Sequence, residues 1–213
     1  MPVHGSDRAA QHGPVCSILA SARMPATRGV ADSPRERILS VASDLFYARG
    51  INAVGVDTIV AQSGAAKTTL YANFGSKDEL VAAYLRERST TWRTYLTNEL
   101  PKRARSPRQR LLAVFDVLGE AVVDASFRGC PFINATAELA DASRPGREIV
   151  AEHRAWVREL LRGLAAQAGL NRPAELAAEL QMLYDAVLVS AQVEDGATSA
   201  RRARRMAQLI LRG

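Results

Sequence analysis

A chain of 213 residues is long enough for one or two small domains with a sizeable core. Its balance of 47% hydrophobic and 23% charged residues is that of a soluble globular protein, and no apolar run approaches the ~18–20 residues of a membrane span. The net charge of +6 permits nucleic acid as a partner without showing one, and two cysteines, Cys16 and Cys130, exclude a disulfide framework or a four-cysteine zinc site.

Residues 1–32 are rich in Ala, Ser, Gly, Pro and Arg and show no period, which predicts a disordered tail. Met24 is either an internal residue of a flexible arm or the natural start of the chain. Order is expected from Ser33-Pro34-Arg35-Glu36, an N-cap serine, N1 proline and N3 glutamate. Ile38, Leu39, Ala42, Leu45 and Phe46 recur at helical spacing up to Gly50. Short helices are predicted over 56–63 and 66–72, divided by Gly64. A long helix starts behind Ser76 and is expected to stop at Pro101. Further helices are expected over about 107–125, 132–141, 146–168, 173–193 and 198–212. Alternating strand patterns are missing from the sequence. The fold class is therefore all-α, with about nine helices. Residues 33–80 form a head and 81–213 a larger body.

Catalytic patterns are absent: there is no G-x-S-x-G, no phosphate-binding G-x-x-x-x-G-K-[ST], no G-x-G-x-x-G and no H-E-x-x-H. Two of the three histidines, His4 and His12, lie in the tail, and His153 has no partner at metal or triad spacing. Cys130, before Pro131, reads as a small buried hydrophobe, with a redox-sensing thiol as the alternative. No catalytic residue, metal or cofactor is expected.

The informative stretch is GVDTIVAQSGAAKTTLYANF, residues 55–74. Two short helices joined by a tight turn at Gly64 follow the helix-turn-helix plan. Val56, Ile59, Val60, Ala65 and Leu70 fall where they can meet in a core, and small Ser63 lets the helices approach. The second helix then offers Lys67, Thr68, Thr69, Tyr71 and Asn73, a set suited to phosphates and base edges in a major groove. Unfilled N–H groups at its start add an anion-binding end.

RERILSVASDLFYARG and IVAQSGAAKTTLYANFGSKDELV resemble the first helix, the recognition unit and the fourth-helix entry of the TetR family of bacterial transcriptional regulators. The resemblance covers residues 34–85. It implies that Lys67, Thr68, Thr69, Tyr71 and Asn73 lie on the recognition helix and that Lys77 caps the helix behind it near a phosphate. Gly55 and Ala66 depart from the Thr or Ser caps common in the family, so neither brings a hydroxyl to DNA. It also implies a homodimer paired through the last two helices, on a palindromic duplex in the cytoplasm.

Charge does not itself argue for DNA. Between residues 33 and 85, Arg35, Arg37, Arg49, Lys67 and Lys77 are balanced by Glu36, Asp44, Asp57, Asp78 and Glu79, and the surplus lies in the body. The basic run Lys102, Arg103, Arg105, Arg108 and Arg110 reads as a solvated loop. In the body, Trp92, Tyr95, Phe115, Phe127, Phe132, Trp156 and Tyr184 lie on or beside helices that would enclose a ligand cavity. Glu138 and His153 are the polar groups expected to orient a mostly apolar small molecule. The sequence thus reads as a ligand-released repressor. The alternative is an all-α ligand-binding protein or enzyme without DNA-binding activity.

Overall fold

The computed structural model describes residues 33–212, so the expected tail, with Cys16 and Met24, lies outside the described residues. Among the described residues there are nine helices and no strand. They are α1 (Pro34–Arg49), α2 (Val56–Ser63), α3 (Lys67–Phe74), α4 (Lys77–Arg103), α5 (Pro107–Val122), α6 (Pro131–Glu138), α7 (Pro145–Gln167), α8 (Pro173–Ser190) and α9 (Gly196–Ile210). None of them is long and apolar enough to cross a membrane.

The local signals act where the sequence puts them. The Ser33 hydroxyl accepts from the Glu36 N–H at 3.2 Å, and the Glu36 carboxylate accepts from the Ser33 N–H at 2.7 Å. Two otherwise orphaned donors are satisfied by this reciprocal cap. Ser76 caps α4 by accepting from the Glu79 N–H at 3.1 Å. Gly64 ends α2 in the left-handed region at φ +66°, a conformation that a Cβ makes costly.

Pro101 does not end α4, which continues to Arg103. A proline in the last turn removes only its own N–H, while the Ala104 N–H still bonds the Leu100 carbonyl at 3.1 Å. Arg103 is also held by Glu99 and by both carboxylate oxygens of Glu120 on α5. The basic run is committed in the same way. Lys102 pairs with Glu99, Arg108 donates to the Leu211 carbonyl and Arg110 to the Ala104 carbonyl.

In the head, α1 packs on α2, α3 and α4 around Ile38, Ala42, Phe46, Ile59, Leu70 and Leu80. The body stacks α4 against α7, α7 against α8, and α9 against both α5 and α8. Because α4 runs unbroken from the head into the body, the boundary expected at residue 80 falls inside a helix.

A candidate nucleic-acid interface and the body behind it

α3 is amphipathic in the simplest way. Leu70 and Phe74, four residues apart, are buried on its inner side. Lys67, Thr68, Tyr71, Ala72 and Asn73 are exposed and Thr69 is half-buried. Tyr71 keeps 42% of its surface accessible although it is a large aromatic on a short helix. Nothing in the packing of the head requires a phenol there. Neither α2 nor α3 has a side-chain cap, since Gly55 and Ala66 occupy the N-cap positions. The first N–H groups of α3 are thereby free to meet an anion.

The outer face is partly organised in advance. Lys67 Nζ donates to Asp57 Oδ1 at 2.9 Å, and that contact lifts the lysine above its ordinary range. Asn73 donates back to the Thr69 carbonyl at 2.8 Å. Lys77 is placed differently. Its ammonium donates to the Ile51 carbonyl at 2.8 Å and lies 6.0 Å over the Phe46 ring. Burial, with Arg144 nearby, draws its pKa down. Lys77 is therefore part of the head's internal frame, fastening α4 to the α1–α2 turn.

Three contacts the sequence does not disclose join head to body. Arg144, at the start of α7, forms a two-pronged pair with Asp78 at 2.5 and 3.2 Å. Glu138, at the end of α6, accepts from the Asn52 N–H at 2.8 Å, and the Asn52 side chain donates to the Glu138 carbonyl at 2.9 Å. The Tyr47 hydroxyl donates to the Gly129 carbonyl at 3.1 Å and accepts from the Arg128 N–H at 2.9 Å. These partners lie between 66 and 86 residues apart, beyond the reach of any local pattern.

In the body, Phe132, His153 and Trp156 come together with Ser89 and Arg93. The Phe132 and His153 rings stack at 3.6 Å with 10° between planes, and Trp156 lies 6.3 Å from His153. His153 Nδ1 is 3.0 Å from Ser89 Oγ. Burial, then the charges of Arg93 and Arg154, lower its pKa to about 3, so it is a neutral ring. Arg93 lies over Trp156 at 5.4 Å. The Trp92 and Tyr95 rings are 6.0 Å apart. Trp92, Phe115, Phe132 and Tyr184 are buried, while Tyr95, Phe127 and Trp156 are half-buried. Glu138 is turned toward Asn52 and Gly50 of the head. Cys130 is a free thiol beneath the surface, pushed up to about 11 by burial, which makes it a poor nucleophile.

The outer sides of α8 and α9 leave Met182, Val189, Met206 and Leu209 exposed, and Val193 in the connecting turn is 86% accessible. A shallow groove of about 130 Å³ lies between the two helices, bordered by Leu183, Ala186, Ala203 and Met206. Single exposed hydrophobes are ordinary, but several on one pair of helices mark a surface to be covered.

Residues 38–84 match the family described as bacterial regulatory proteins, tetR family, and residues 107–207 match the tetracyclin repressor-like C-terminal domain. A TetR-family transcriptional regulator from Streptomyces coelicolor is 30% identical, with a TM-score of 0.78 over 84% of this chain and 94% of that one. The chain belongs to the TetR family. TetR-family proteins are transcriptional regulators, so this is a DNA-binding regulator and not an enzyme. E. coli NemR in its reduced form shares the fold at 21% identity and a TM-score of 0.74, covering 84% of this chain and 97% of NemR. The HTH-type transcriptional activator FasR of Mycolicibacterium smegmatis is 43% identical over 54 residues, a match spanning 25% of each chain. The TetR head assignment agrees with the two short helices α2 and α3 divided at Gly64.

Proposed function

We propose that this TetR regulator acts as a homodimeric repressor that occupies a palindromic operator and leaves it when a small, mostly apolar molecule enters the body. The observation that carries the DNA-binding face is the outward set Lys67, Thr68, Thr69, Tyr71 and Asn73 on a helix whose other side is anchored by Leu70 and Phe74. A rigidly seated helix with uncapped N–H groups and short polar side chains fits a major groove. The head carries no net charge, so specific geometry and phosphate contacts have to supply the affinity.

The exposed residues of α8 and α9 favour self-association, because a two-fold dimer covers both copies of the same patch at once. Two recognition helices then read half-sites about one helical turn apart or somewhat more. An effector site among α4, α6, α7 and α8 has its own support. The Phe132 and His153 rings stack between α6 and α7, and Trp156 lies 6.3 Å from His153, which makes a band of aromatic faces inside the body. A flat apolar molecule stacks against these faces, provided that it parts the packed rings. Because α4 is continuous with the head, a tilt there changes the distance between the two recognition helices.

The test is selection of bound duplexes from random DNA with the purified chain, followed by transcription in vitro from a promoter carrying the selected site. An inverted repeat and reduced transcription are expected. Selection of no repeat removes the DNA reading, and increased transcription reverses the sign of control.

A further inference from the structure

We infer that the seam between head and body holds a second small-molecule site, one that takes a single-ring organic carboxylate. A cleft of about 360 Å³ opens there between the C-terminal end of α1 and the side of α6. That volume is at the lower end of small-molecule sites, which suits one ring. Its floor is aromatic and buried: Phe46, Tyr47 and Tyr84. The Tyr47 hydroxyl is already satisfied by Gly129 and Arg128, and Arg88 lies over the Tyr47 and Tyr84 rings at 4.8 and 5.6 Å, so the floor offers a ligand ring edges and one remaining face more than hydrogen bonds.

The charged groups of the cleft are Arg49, Arg128 and Glu138. Glu138 accepts from the Asn52 N–H and lies against Gly50, which fixes its direction but leaves its negative charge in the cleft. Both arginines are exposed, and among the described residues no hydrogen bond or ion pair occupies either guanidinium. α6 runs along the cleft from Pro131 to Glu138, so both ends of its dipole border the site and the two arginines carry the anion preference. Two guanidiniums against one carboxylate leave the cleft net positive above an aromatic floor. A carboxylate joined to a ring meets both, with the guanidinium forks suited to two-pronged contact.

The location has a consequence. Arg49 belongs to the head and Arg128 to the body, so a ligand held by both ties one to the other. Bound carboxylate favours the head orientation seen here over any that opens the seam. The effect on DNA rests on the regulator reading above, whereas binding to the cleft does not.

The probes are phenylacetate and salicylate, each paired with its neutral amide, added to the full chain at fixed ionic strength. Thermal melting and calorimetry report binding without DNA. Saturable stabilisation by the acids and none by the amides is expected. The double variant Arg49→Gln, Arg128→Gln should melt normally without ligand and bind the acids at least tenfold more weakly. Saturable binding by neither acid overturns the site, as does undiminished binding by the double variant, which places the carboxylate elsewhere. Operator affinity is then measured with and without bound acid. Binding that leaves operator affinity unchanged overturns the coupling.

Discussion

Acid should destabilise this protein through His153, in a pH range where few other groups act. The ring is buried at 4% exposure, stacked on Phe132 and bonded to Ser89, with the cations of Arg93 and Arg154 nearby. In the unfolded chain it titrates near 6.5 and in the fold near 3. Because the folded pKa is depressed, the unfolded state takes up the proton first. Stability is therefore complete above pH ~6.5 and declines until the folded ring itself titrates. At about 1.36 kcal/mol per pH unit, acidification from pH 7.5 to 5 costs roughly 2 kcal/mol, and the full descent to pH 3 about 4 kcal/mol. For a domain of this size, 2 kcal/mol lowers Tm by roughly 4–8 °C. Carboxylates held low by partners, such as Asp78 beside Arg144, lose their contribution only at lower pH. Glu87, raised by burial, acts in the opposite direction but is common to wild type and variant. Chemical denaturation of wild type and His153→Gln at both pH values isolates the imidazole. The variant is expected to be less stable at pH 7.5 and nearly flat between pH 7.5 and 5. Parallel loss of stability in the two proteins would refute a buried neutral His153 as the cause.

Lys67→Ala and Tyr71→Ala should each weaken binding to the selected operator by about 1–3 kcal/mol per contact, read by fluorescence anisotropy. Their melting curves should hardly move, since both side chains are exposed and the Lys67–Asp57 pair is a surface one. Leu70→Ala, at a position with no exposed surface, should cost about 2–5 kcal/mol and unseat the same helix from within. Gly64→Ala has open space around its Cβ but a φ of +66°, so a loss of roughly 1–2 kcal/mol in urea denaturation measures backbone strain alone. Met182→Glu with Leu209→Glu places charge on the exposed patch of α8 and α9, and sedimentation should then show monomer where the wild type shows dimer.

Helix ends and the recognition unit were legible in the sequence because their causes are local. Ser33, Pro34 and Glu36 act within one turn, Gly64 and Gly75 take up positive φ where helices end, and Leu70 and Phe74 repeat at the helical period. The TetR likeness of residues 34–85 rests on the same short-range features. Pro101 shows the limit of such signals. A proline marks a probable stop, but in a final turn its missing N–H is a small loss beside the Arg103 pairs that hold the end of α4.

The fate of the polar candidates was decided by packing between distant segments. The TetR likeness turns both Lys67 and Lys77 toward DNA, one on the recognition helix and one capping the helix behind it near a phosphate. In the fold Lys67 lies on the outer face beside Asp57, whereas Lys77 is turned inward to the Ile51 carbonyl. Glu138 reads as a polar group among aromatics, yet its nearest partners, Asn52 and Gly50, come from the head 86 residues and more away in the chain. His153 reads in the sequence as a polar group that orients a ligand, and burial against Phe132 and Ser89 makes it a neutral core ring. Periodicity states which side of a helix is apolar; it carries no information on which other helix arrives to cover that side. Only tertiary structure brings α6 and α7 against the head, and with them the Asp78–Arg144 and Asn52–Glu138 contacts and the cleft between Arg49 and Arg128.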